Sequence, residues 1–177
     1  QPMNLAQLRT YTDAIAADND ATWKARLMIE TGRFPTAQAG TYWLRVVDKK
    51  FSRGKTYVIA ENCMNGLQKP ALAAMLRHEL GGGTPAPYEP LFTSEWAFPI
   101  IAHGDESRTE TVDIVGNLCC AADVLTEDFT GPELAVGDLI EVRNAGAYAC
   151  TLTAQRFSSH QPPRELLVYG DGRVETE

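Results

Sequence analysis

Two adjacent thiols, Cys119 and Cys120, followed by the carboxylate of Asp123, form the stretch of this chain best equipped for chemistry. They follow an apolar run, Val112-Asp113-Ile114-Val115, and a small-residue turn, Gly116-Asn117-Leu118, an arrangement that can hold a thiol at the edge of a cleft. Neighbouring cysteines seldom bridge each other, because a disulfide prefers a Cα separation larger than adjacent residues comfortably give. Such a thiol either packs as a small hydrophobe or acts as an acid or nucleophile. Cys63 and Cys150 read as packing residues, and the four cysteines lack the CxxC spacing of a zinc site. His78, His103 and His160 stand far apart, with no partner one helical turn away, so no metal is expected.

The elements that must position these groups belong to a chain of 177 residues, within the range of one domain, whose 44% apolar content suffices for an ordinary core. A net charge of -7 speaks against nucleic acid, which needs a clustered excess of Lys and Arg. Asp48 to Lys55 gathers four basic residues, and a solvated hairpin tip accounts for them. Cysteine usage points to a reducing, cytoplasmic setting. No apolar run approaches the roughly 20 residues of a membrane span, and no signal-peptide pattern opens the chain, so no membrane partner is expected.

Leu5, Leu8, Tyr11 and Ile15 recur at helical spacing and predict a first helix. A buried strand is expected over Trp23 to Ile29, ending at Glu30-Thr31-Gly32-Arg33. Helix and strand together look like the last αβ unit of an α/β barrel, where functional groups sit at strand C-terminal ends. Gly40 to Val47 and Thr56 to Ala60, with Ser52-Arg53-Gly54 between them, predict a β-hairpin. Pro70 to Leu80 is helical in period, and Gly81-Gly82-Gly83 ends it as a plain loop, since prolines follow where a phosphate loop would have a helix. Further short strands are expected at Pro99 to Ala102, Thr111 to Val115, Leu139 to Arg143 and Leu166 to Tyr169. Trp96 reads as a hydrophobic anchor. The whole predicts a mainly β chain, an antiparallel barrel or sandwich with a few helices, preceded by that last unit of an incomplete α/β barrel. Residues 1–34 would be the barrel remnant, 35–169 the β domain, and 170–177 a polar, frayed tail.

Three ordered segments carry a resemblance. Glu30-Thr31-Gly32-Arg33 with Gly40 and Val46 to Lys55 resembles the EPGR strand end and hairpin of fold-type III pyridoxal-phosphate decarboxylases, the family of diaminopimelate and ornithine decarboxylases. Val115-Gly116-Asn117-Leu118-Cys119 with Asp123 resembles their VGPxCxxxD segment. Val136-Gly137-Asp138-Leu139 with Asn144 to Tyr148 resembles their VGD and GAY segments. Order and spacing agree over about residues 24 to 168.

The resemblance implies a pyridoxal-phosphate (PLP) enzyme acting on an amino-acid-like small molecule, built as a homodimer with shared active sites. Most of the barrel, with the Schiff-base lysine, the phosphate loop and the acid facing the pyridine nitrogen, would lie outside these residues. Lys24, Lys49, Lys50, Lys55 and Lys69 do not match that lysine's context, and an opening at Gln1-Pro2 suggests truncation. The resemblance places Gly32, Arg33 and Tyr148 near the cofactor phosphate, and Cys119 across the dimer interface as a proton donor. Cys120 stands where the relatives carry a substrate-binding Glu or Asp, and Lys69 stands for the Arg of their RPALY segment. With Asp123, these are the expected substrate contacts. Losing the carboxylate at Cys120 removes the counter-charge for a distal ammonium. The expected substrate is therefore a basic or modified amino acid other than simple diaminopimelate or ornithine, as in natural-product or siderophore pathways. Two other readings are a non-catalytic β-domain module for dimerisation or binding and, from the same fold class, a racemase.

Overall fold

The computed structural model describes residues 4–18, 28, 32–79 and 97–176. The glycine run at Gly81, Trp96, and, apart from Met28, the strand expected over Trp23 to Ile29 lie outside the described residues. Helix α1 (Leu5–Asp18) opens on a reciprocal cap: the Asn4 amide donates to Gln7 Oε1 and the Gln7 amide to Asn4 Oδ1, both at 2.9 Å.

The hairpin is longer than its apolar runs suggest. Strand β1 (Tyr42–Ser52) turns through Arg53 (φ 52°) and Gly54 (φ 82°) into β2 (Lys55–Ala60). Two successive positive φ angles match the twist of the flanking strands. Helix α2 (Gln68–Glu79) takes Pro70 in its first turn, where no intrahelical donor is lost. Strands β3 (Ile100–His103), β4 (Asp105–Gly116), β5 (Val124–Glu133) and β6 (Leu139–Val142) complete a sheet ordered β3-β6-β1-β2-β4-β5. Its edges β3 and β5 come together, so the sheet is a nearly closed barrel.

Where the patterning suggested an antiparallel sheet, the sheet is mixed. β2 and β4 run parallel, from Tyr57↔Asp113 to Ala60↔Gly116, because a long connection that includes α2 and β3, not a tight turn, joins them. Inside, Leu44 and Val46 from β1, Val58 from β2, Ile114 from β4 and Ile140 from β6 are almost wholly buried. Part of the stretch expected as a polar tail is a strand. Strand β7 (Leu166–Val168) pairs with β8 (Val174–Thr176) across a turn at Gly172 (φ 84°), and Arg173 lies over the Tyr169 ring at 3.8 Å.

Candidate functional site

The thiol turn is held from beneath by a carboxylate. β4 ends at Gly116, whose amide donates to the Asp123 carbonyl at 2.8 Å, while the Asp123 amide donates to Cys120 O at 3.1 Å. The side chain of Asp123 is 3% exposed. Its Oδ1 accepts from the Met64 amide at 2.7 Å and its Oδ2 from the Leu118 amide at 3.0 Å. The buried Cys63 thiol is hydrogen-bonded to the same carboxylate, and burial first, then that negative charge, pushes this thiol well up. A Cβ on Gly116 would lie 1.9 Å from Asp123 Oδ2, so only glycine fits. Cys119 is left exposed and Cys120 half-buried, both as free thiols. The Cys119 sulfur lies 3.9 Å from Ser158 Oγ. The carboxylate expected at the substrate is thus committed to two turns of its own chain.

A second cluster gathers Gly32, Arg33, Lys69 and Tyr148. The Arg33 guanidinium lies 4.5 Å over the Phe98 ring and donates to the carbonyls of Asn144 (3.0 Å) and Ala147 (3.5 Å). It therefore braces the loop that carries Tyr148. Burial lowers the Arg33 pKa, and the nearby Tyr148 opposes this. Tyr148 has φ 58° and is 46% exposed. This left-handed backbone is uncommon for a bulky residue and costs about 1–2 kcal/mol. Its hydroxyl sits 2.2 Å from where a Cβ on Gly32 would be, so the tyrosine uses the space of the missing side chain. Lys69 Nζ is 5.5 Å over the Tyr148 ring. The N-terminal end of α2 is tied to the same loop, because the Gln68 amide donates to Thr153 Oγ1 (3.2 Å), whose hydroxyl donates to Ala149 O (2.7 Å).

The turn at residues 62–68 joins the clusters: Met64 binds Asp123 at one end and α2 begins at the other. The bracing partners Cys63, Phe98 and Ser158 were missed as site residues, because each acts on a group distant in the chain. Among the described residues no group of three or more His, Cys, Asp or Glu side chains could hold a metal ion, and no helix is long and apolar enough to cross a membrane.

Residues 34–146 match the model of the pyridoxal-dependent decarboxylase C-terminal sheet domain. The chain belongs to this family. Among curated relatives of this sheet-domain chain is the L-glutamyl-[BtrI acyl-carrier protein] decarboxylase of Niallia circulans, 29% identical over 160 residues, covering 90% of the chain and 35% of the relative. The diaminopimelate decarboxylase of Neisseria meningitidis serogroup B is 29% identical over 171 residues, covering 97% and 36%. The sheet-domain chain thus spans about a third of the length of these curated relatives. In fold it is similar to the crystal structure of diaminopimelate decarboxylase from M. jannaschi (TM-score 0.71, 23% identity, covering 97% of this chain and 35% of that one). It is also similar to the Helicobacter pylori diaminopimelate decarboxylase complexed with L-lysine (TM-score 0.62, 22% identity, covering 97% and 35%).

Proposed function

We propose that this chain is the C-terminal part of a PLP-dependent decarboxylase that removes the α-carboxylate of a basic or modified amino acid. Residues 1–34 go with its α/β barrel and 35–169 form the sheet domain, in a cytoplasmic homodimer whose sites are shared. The observation that carries this reading is the convergence of Gly32, Arg33, Lys69 and Tyr148. A bare glycine backbone, a half-exposed phenol and a guanidinium make a donor set suited to a phosphate, with the Lys69 ammonium beside them on the substrate side. When bound, PLP supplies the electron sink for loss of carbon dioxide. Tyr148 and the Gly32 backbone seat its phosphate, while Arg33 contributes positive charge and braces the Tyr148 loop.

Cys119, exposed at its turn, returns the proton to the substrate carbon in the partner subunit's site. Asp123 serves the substrate site indirectly, by fixing the turn that carries both thiols. Cys120 is the altered specificity position, and Lys69 offers one cation to a substrate carboxylate. The Niallia circulans relative is named for a carrier-bound glutamyl substrate, which supports a substrate without a free distal ammonium. A natural-product or siderophore pathway suits such a substrate.

The full-length protein should take up PLP, seen by its visible absorbance, and release carbon dioxide faster from a carrier-bound or otherwise modified amino acid than from diaminopimelate or ornithine. A full-length protein that never takes up PLP would overturn the reading and leave a non-catalytic sheet module. Cys119→Ala should retain PLP absorbance while turnover falls by roughly a hundredfold or more. Parallel loss of PLP affinity would make Cys119 structural.

A further inference from the structure

We infer that Ser158 is a positioning residue for the Cys119 thiol, an inference that rests on the reading of Cys119 as proton donor. The two residues are 39 positions apart in sequence, yet Ser158 Oγ stands 3.9 Å from Cys119 Sγ. The backbone there is shaped in a way local preference does not explain. Ser158 (φ 52°) and Ser159 (φ 63°) are both left-handed, a conformation that L residues with a Cβ rarely adopt even singly. Such outliers persist only where the surroundings hold them, and they concentrate at functional sites.

Here the surroundings are visible. The Phe157 amide donates to Ala154 O (3.0 Å), Ser159 to Arg156 O (3.1 Å) and His160 to Phe157 O (3.1 Å), so consecutive turns clamp the serine pair. Gln155 Nε2 ties the same segment to Cys150 O at 3.2 Å. The Asp123 carboxylate holds the facing turn through Leu118. Sulfur and hydroxyl therefore face each other from two braced backbones, although both side chains are exposed.

In the step itself the Cys119 S–H bond breaks and a C–H bond forms at the substrate carbon that has lost its carboxylate. The electron pair of the S–H bond stays on sulfur, and the thiolate regains a proton from water. The Ser158 hydroxyl donates to the sulfur, which leaves the S–H proton free for the substrate carbon and then stabilises the thiolate that remains.

The test uses the full-length protein with Ser158→Gly, which tolerates the left-handed backbone but removes the hydroxyl, and Ser158→Asn, which also tolerates that backbone and keeps a hydrogen-bonding side chain. The rate at which iodoacetamide alkylates Cys119 is followed by mass spectrometry of the peptide, fragmented to separate Cys119 from Cys120. Because the thiolate is the nucleophile, losing a donor to it should slow alkylation about threefold or more in the glycine variant, with recovery in the asparagine variant. Equal rates in the wild type and the glycine variant would overturn the inference, as would an asparagine variant as slow as the glycine variant. The alkylation readout does not depend on turnover. Unchanged turnover in Cys119→Ala would sink the proton-donor reading separately.

Discussion

Both carboxylate oxygens of Asp123 are taken up inside the chain, and Gly116 is the residue that makes room for them. Gly116→Ala would drive a Cβ to 1.9 Å from Oδ2, and the buried carboxylate has no exposed space to retreat into. Overpacking of this kind costs about 1–3 kcal/mol. A urea-unfolding curve should show a lower midpoint with an unchanged slope; an unmoved midpoint would mean that the carboxylate can swing aside. Arg33 teaches the same lesson at the other cluster. Its residue type and motif suggested a fork for phosphate, yet two donors go to the carbonyls of Asn144 and Ala147. The motif was legible because its residues are contiguous, whereas the partners lie more than a hundred positions away.

Across the sheet, Trp43 on β1, His103 on β3 and Glu141 on β6 form one patch. The Trp43 and His103 rings stack with centroids 5.1 Å apart, His103 Nε2 is 3.1 Å from Glu141 Oε2, and Arg143 Nε donates to Glu141 Oε1 at 2.7 Å. The Arg143 hydrogen bond, helped by His103 and opposed by burial, holds the Glu141 pKa below its ordinary value of 4.5. A carboxyl depressed in the folded state stabilises above its unfolded pKa, and that contribution is lost as the pH falls through the folded one. Unfolding measured from pH 7 down to about pH 3 should therefore show a loss of stability, beginning near the ordinary glutamate range, that Glu141→Gln lacks. Identical pH profiles for both proteins would remove this linkage.

Strand β5 shows why such elements escape pattern reading. Glu127-Asp128 and Gly131-Pro132 look like breaks. In the fold, Asp128 (φ 51°) sits beside a register irregularity, its amide bound to Asp113 Oδ1 at 2.8 Å, and Pro132 is tolerated because β5 is last in the strand order. Likewise Asp48-Lys49-Lys50 reads as a turn but belongs to β1, where Lys49 pairs with Glu110 at 2.8 Å.

For the molecule as a whole, the six-stranded barrel and the terminal hairpin are unequal in support. Every residue of β7 and β8 is exposed, and a lone two-stranded hairpin is marginally stable in water. In this 177-residue chain, hydrogen exchange should protect the amides of β1, β2, β4 and β6 longest, with those at 166–168 and 174–176 exchanging early. Equal protection would show that the hairpin is covered in solution.

The β-rich class, both main helices, the hairpin and the ordered motifs that mark the family were legible along the chain, because periodicity, turn residues and motif order are local properties. That β2 and β4 run parallel, that Arg33 braces the Tyr148 loop and that Asp123 faces inward beneath the two thiols are settled by contacts between distant segments. The Met64 donor that holds Asp123 is 59 residues away, and its approach depends on the parallel pairing of β2 with β4 rather than on any spacing along the chain.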